Sequence, residues 1–137
     1  MLEETVRRML TVWLLALGLC ATTSPMIAHH SFSGEFDINK PIKLQGTVTR
    51  VEWINPHAWI HIAVKKPDGA AESWAIEAGT PNTLFRRGFT REALKAGTEI
   101  LVDGYRSKDG TNKANGRDMT FPDGRKLFMG NPNGDQP

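Results

Sequence analysis

The amino-acid sequence predicts an all-β fold, a small OB-like barrel of five to six strands with a short helix between strands 3 and 4. Three observations lead there. Apolar and polar residues alternate with period two in several short runs, most cleanly from Ala58 to Val64, as half-buried strands require. Turn residues divide these runs at Asn55-Pro56, Pro67-Asp68-Gly69 and Pro122-Asp123-Gly124. The order of elements is strand, strand, strand, short helix, strand, strand, which is that of an OB-type barrel.

Taken in order, residues 1–28 read as a secretory signal peptide. Arg7 and Arg8 give a basic start, diluted by Glu3 and Glu4, and Met9 to Ala21 is an apolar run too short to span a bilayer easily. Ser24-Pro25 breaks the run, and Ala28 offers a small residue for cleavage. Arg7-Arg8 before Met9-Leu10 also resembles a twin-arginine signal, although Sec export is the simpler reading. Cys20 would mark a lipoprotein anchor only if a smaller residue than Leu19 preceded it. It is the only cysteine. Cleavage after Ala28 would leave no thiol, which excludes thiol redox chemistry and Cys-type zinc sites.

Residues 29–40 form an N-terminal arm that Phe32 and Phe36 pin to the domain, and 41–130 form the barrel. Ile42 to Trp53 is a long first strand. Its apolar parity slips between Val48 and Val51, which predicts a bulge near Thr49-Arg50, and Gly46 permits a bend. A strand of this length can pair on both sides, as a small barrel needs. After the Asn55-Pro56 turn, Ile60, Ile62 and Val64 fall on one face of the second strand. His57, Trp59, His61 and Ala63 fall on the other. The third strand, Glu72 to Ala78, places Trp74, Ile76 and Ala78 together. Thr80 or Asn82 caps a short helical turn holding Leu84 and Phe85, and Thr90 to Leu94 forms another. Glu99 to Tyr105 is the fourth strand. Asp109-Gly110 and Asn115-Gly116 mark a polar loop, and Arg117 to Phe121 pairs with Lys126 to Met129 in a last hairpin. Residues 131–137 read as a disordered tail.

Seventeen Lys and Arg against fifteen Asp and Glu give a net charge of +2, too balanced to point to nucleic acid. Glu35, Asp37, Glu52, Glu72 and Glu77 show no spacing diagnostic of paired acid–base work. No nucleophile motif, phosphate loop or zinc-protease helix is present. Arg86, Arg87 and Arg91 read as a solvated face, and Met119 and Met129 as packing rather than soft copper ligands.

The chemistry that remains lies with histidine and tryptophan. If cleavage follows Ala28, His29 carries both an α-amine and an imidazole. His30 is the third residue if cleavage instead follows Ile27. Either set suits square-planar Cu(II), completed in the first case by an imidazole from elsewhere. His57 and His61 lie four residues apart on a strand and so span about 13 Å, while metal–imidazole bonds are about 2 Å. At most one of them joins a site with the arm. Glu52 faces the same side as His61 and could orient it. Trp59 is either covered by Phe32 or Phe36, or open as a stacking platform.

Ala28-His29-His30-Ser31-Phe32 and Trp53-Ile54-Asn55-Pro56-His57 together resemble a family of small exported bacterial proteins of unknown function. The resemblance covers most of the chain after the signal and implies an exported single domain. The layout is also similar to exported OB-fold proteins that bind copper or haem, an analogy of fold and compartment that gives no function by itself. The reading is therefore a periplasmic or secreted, non-enzymatic binding module. In its most specific version copper is held by His29, His30, His57 or His61, with Trp59 and Glu52 binding the ligand. The alternative is a protein- or glycan-interaction module with no metal. Both need the aliphatic face of the second strand to point inward.

Overall fold

The structure is a computed structural model and describes residues 3–6 and 32–130. Most of the signal segment, His29, His30 and the 131–137 tail lie outside the described residues. The chain runs α1 (Phe32–Glu35), β1 (Phe36–Glu52), β2 (Trp59–Lys65), β3 (Ala71–Glu77), α2 (Pro81–Arg86), β4 (Glu99–Ser107), β5 (Lys113–Thr120) and β6 (Lys126–Phe128).

Seventeen-residue β1 is the organising strand. It pairs antiparallel with β4 through Phe36 to Thr47 and with β2 through Thr47 to Glu52. Thr47 therefore has a partner on both sides, Ala63 and Glu99. The register to β2 shifts between Val48 and Arg50, so the bulge falls where the parity slip predicts it. The displaced Thr49 hydroxyl donates to the His61 carbonyl at 3.1 Å. Gly46 sits where a Cβ would come within 2.9 Å of the Ala63 carbonyl oxygen. Only glycine lets the strand bend this closely over β2.

The expected closed OB-like barrel is corrected. The domain is mixed α/β, with one six-stranded sheet in the order β3-β2-β1-β4-β5-β6. β3 and β6 are its end strands. The sheet coils far enough for β3 to reach β5 through a parallel ladder of three residue pairs, Ala75 to Lys113, Ile76 to Ala114 and Glu77 to Asn115. β6 continues beyond that contact as a sixth strand on β5. The short helix between strands 3 and 4 is present as α2, but it is not the only one, because residues 3–6 and Phe32–Glu35 are helical as well.

Three local readings also change. The first strand starts before Ile42: β1 begins at Phe36, opposite Ser107. Thr90 to Leu94 makes one isolated turn, with Leu94 N–H on Thr90 O at 3.1 Å and Ala93 N–H on the Thr90 hydroxyl at 3.0 Å. Asn115-Gly116 is not a loop turn but lies inside β5, against Gly104 of β4. A Cβ at Gly104 would sit 2.2 Å from the Asn115 carbonyl oxygen, so the glycines there serve close backbone contact.

The interior is built from alternate residues of the strands. Ile60, Ile62, Ile76, Val102, Ala114 and Met119 are all 0% exposed. Each buried isoleucine contributes about 1.5–3 kcal/mol relative to exposure. The aliphatic residues of β2 do point inward. α2 has only six residues, too few to be stable alone. Thr80 caps it by accepting from Thr83 N–H at 3.3 Å, and Pro81 opens its first turn. Leu84, fully buried, ties it to the core.

Candidate functional site

The outward face of β2 carries the residues singled out from the sequence. Strand register lines them up in two rows. Glu52, Trp59, Glu77 and Asn115 form one row across β1, β2, β3 and β5, and Arg50, His61, Ala75 and Lys113 form the next. Trp59 is half-buried between two carboxylates, and His61 lies beside Arg50. Glu52 meets His61 as expected, with Oε1 3.3 Å from Nε2. The contact lacks hydrogen-bond geometry, and the buried Nε2 has no hydrogen-bond partner. Glu52 is instead gripped by the Arg50 guanidinium. Burial, and then the Arg50 charge, hold the His61 imidazole below its ordinary value of 6.5, so its neutral form is favoured.

His57 belongs to a different group. Its Nδ1 donates toward the Ala78 carbonyl oxygen at 3.2 Å and lies 3.5 Å from Glu77 Oε1. Glu77 also accepts from Asn115 Nδ2 at 3.3 Å. Burial raises the Glu77 carboxyl above its ordinary value of 4.5, against the lowering effect of the His57 charge. Beyond Asn115, Lys113 pairs with Glu35 at 2.7 Å and Asp109 at 3.7 Å. His57 and His61 thus turn to separate carboxylates. Among the described residues no group of three or more His, Cys, Asp or Glu side chains could hold a metal ion. His29 and His30 lie outside those residues.

Of the two readings for Trp59, cover by Phe32 or an open platform, the packing of Phe32 does not favour the first. Phe32 packs on Phe36 at 5.9 Å between ring centroids and edge-on to Tyr105 at 5.5 Å. The arm is held by β1 and β4. Met119 and Met129 are fully buried and act as packing.

A second surface was not singled out from the sequence. Trp53, just after β1, stacks on Phe85 of α2 with centroids 4.7 Å apart and planes 20° from parallel. The Arg91 guanidinium lies 5.5 Å from the Trp53 ring centre and 6.0 Å from that of Phe85. Ile54, next to Trp53, is 51% exposed and Phe85 is 39% exposed. On the other side of α2, Arg87 stacks on Phe128 at 4.7 Å and donates to the carbonyl oxygens of Phe128 and Gly130. The only signal in the sequence was the Arg86, Arg87 and Arg91 group. Its aromatic neighbour Trp53 arrives from a distant part of the chain.

No helix among the described residues is long and apolar enough to cross a membrane. No curated protein and no solved structure matches the chain. A family model described only as a family of unknown function, DUF6152, matches residues 16–116. This protein belongs to that family.

Proposed function

We propose that the protein is a non-enzymatic interaction module of an extracytoplasmic compartment, docking a partner protein on the surface made by the loop after β1 and by α2. One observation carries the reading: Phe85, stacked on Trp53 under the Arg91 guanidinium, stays 39% exposed, and Ile54, the residue after Trp53, stays 51% exposed. Clustered apolar exposure rimmed by charge is what interaction surfaces present. Arginine and tryptophan are the residue types that dominate their energetics. Affinity capture from producing cells tests it. A protein captured in constant ratio by the native chain and lost with Ile54→Ser/Phe85→Ser supports the reading. Equal capture by both refutes it.

A second reading, copper(II) binding, is favoured by His57. With Nδ1 donating toward Ala78 O, Nε2 of the neutral ring keeps its lone pair, the arrangement that metal-binding histidines adopt. His29 or His30 and a freed α-amine would complete the set. Copper titration of the processed protein decides it. Binding tighter than micromolar that weakens with both His29→Ala and His57→Ala supports this reading, and binding indifferent to both removes it.

A further inference from the structure

The connection around α2 carries a net positive charge while the rest of the chain, taken together, is slightly negative. Between Gly79 and Thr98 lie four cations, Arg86, Arg87, Arg91 and Lys95, and one carboxylate, Glu92. The remaining thirteen cations and fourteen carboxylates leave the rest of the chain one unit negative. Elsewhere the charges largely answer one another, as Arg50 with Glu52, Lys113 with Glu35 and Lys126 with Asp103 and Asp118. Among the described residues no carboxylate pairs with Arg86, Arg87 or Arg91. Arg87 is committed to backbone carbonyls and the Phe128 ring, and Arg91 to the aromatic stack. Arg86 is exposed at the end of the helix.

We propose that this surface takes an acidic protein segment with aliphatic anchors, its carboxylates meeting Arg86 and Arg91 and its apolar side chains covering Ile54 and Phe85. This rests on the docking role given above and names the class of partner. Charge complementarity selects the sign, because the patch carries guanidinium forks that match carboxylates, and among the described residues its one carboxylate, Glu92, pairs with neither Arg86 nor Arg91. The apolar half selects a polypeptide over a glycan. Ile54 is aliphatic and offers no ring to a sugar, and one face each of Trp53 and Phe85 is used in their mutual stack.

The test is fluorescence anisotropy of the full protein with a labelled synthetic peptide of alternating glutamate and leucine. The controls are an alternating lysine–leucine peptide, a glutamate–serine peptide and phosphatidylglycerol vesicles. The expected result is saturable binding of the glutamate–leucine peptide, weakened by added salt. Arg86→Glu/Arg91→Glu weakens it roughly ten-fold or more, and Arg86→Lys/Arg91→Lys restores most of it. Far-UV circular dichroism confirms that the reversed variant is folded. Four results overturn the proposal: no peptide binding, equal binding of the lysine–leucine peptide, binding unchanged by charge reversal, or vesicle binding without peptide binding. If a captured partner is still lost with Ile54→Ser/Phe85→Ser while the peptide fails, the docking surface stands and only its acidic specificity falls.

Discussion

Trp53 and Trp59 stand at the two ends of one loop, yet their surroundings treat charge in opposite ways. Around Trp59 the sheet face is self-answering. Arg50 grips Glu52, His57 faces Glu77, and Lys113 reaches Glu35. Around Trp53 the groups are aromatic, aliphatic and cationic, and among the described residues no carboxylate pairs with Arg91. The difference teaches where to look for a partner. A face whose charges are satisfied internally gains little from a visitor, since any new ion pair must displace an old one. A face with unmatched cations and uncovered apolar area gains on both counts.

The largest test of this contrast asks whether both surfaces rest on one core. Ile62→Ala beneath β2 and Leu84→Ala beneath α2 should each cost about 2–5 kcal/mol in chemical denaturation. A loss below about 1 kcal/mol at Leu84 would show that α2 hangs loosely and presents no fixed surface. Next is the pairwise energy at each tryptophan. A double-mutant cycle on Trp53→Ala and Phe85→Ala should give about 0.5–1.5 kcal/mol of coupling that survives added salt. The same cycle on Arg50→Ala and Glu52→Ala should give about 0–1 kcal/mol, fading as salt rises.

A smaller effect is set by protons on the Trp59 face. His61 is held below 6.5 in the folded protein. The unfolded chain therefore takes up a proton that the folded chain refuses. His61 thus contributes stability that is full above 6.5 and is lost as pH falls from there toward the folded value. His61→Gln should flatten this limb in thermal melts run between pH 7 and 5. Glu77 acts with the opposite sign. Its carboxyl is raised above 4.5, so stability falls as pH rises from 4.5 through the folded value, and the ionised group is a burden above it. Glu77→Gln should leave Tm at pH 7 unchanged or slightly higher, and a marked fall would mean that the His57 contact outweighs the burial cost.

How far the sequence reveals this contrast depends on the range of the interaction. The inward set of β2 was legible, because period two is a local signal and Ile60 and Ile62 are both fully buried. The bulge at Thr49 was legible for the same reason, and the helix cap was legible as Thr80 or Asn82, of which Thr80 serves. Asn115-Gly116 misled, because a turn dipeptide and a close backbone crossing ask for the same small residue. Phe32 was legible as an anchor but not its destination, Tyr105 rather than Trp59. The closed barrel misjudged the ends of the sheet. Element order does not specify that β6 extends past β5 or that β3 meets β5 over only three pairs. The Trp53–Phe85 stack joins a strand end to a helix, and no periodicity connects them.

The central claim is that the partner meets the Trp53 end of the loop and not the Trp59 end. A photo-crosslinking phenylalanine analogue placed at Phe85, and in a separate variant at Trp59, reads this directly in producing cells. The account predicts a discrete protein adduct from position 85 and none from position 59. An adduct from position 59 with none from position 85 would contradict it.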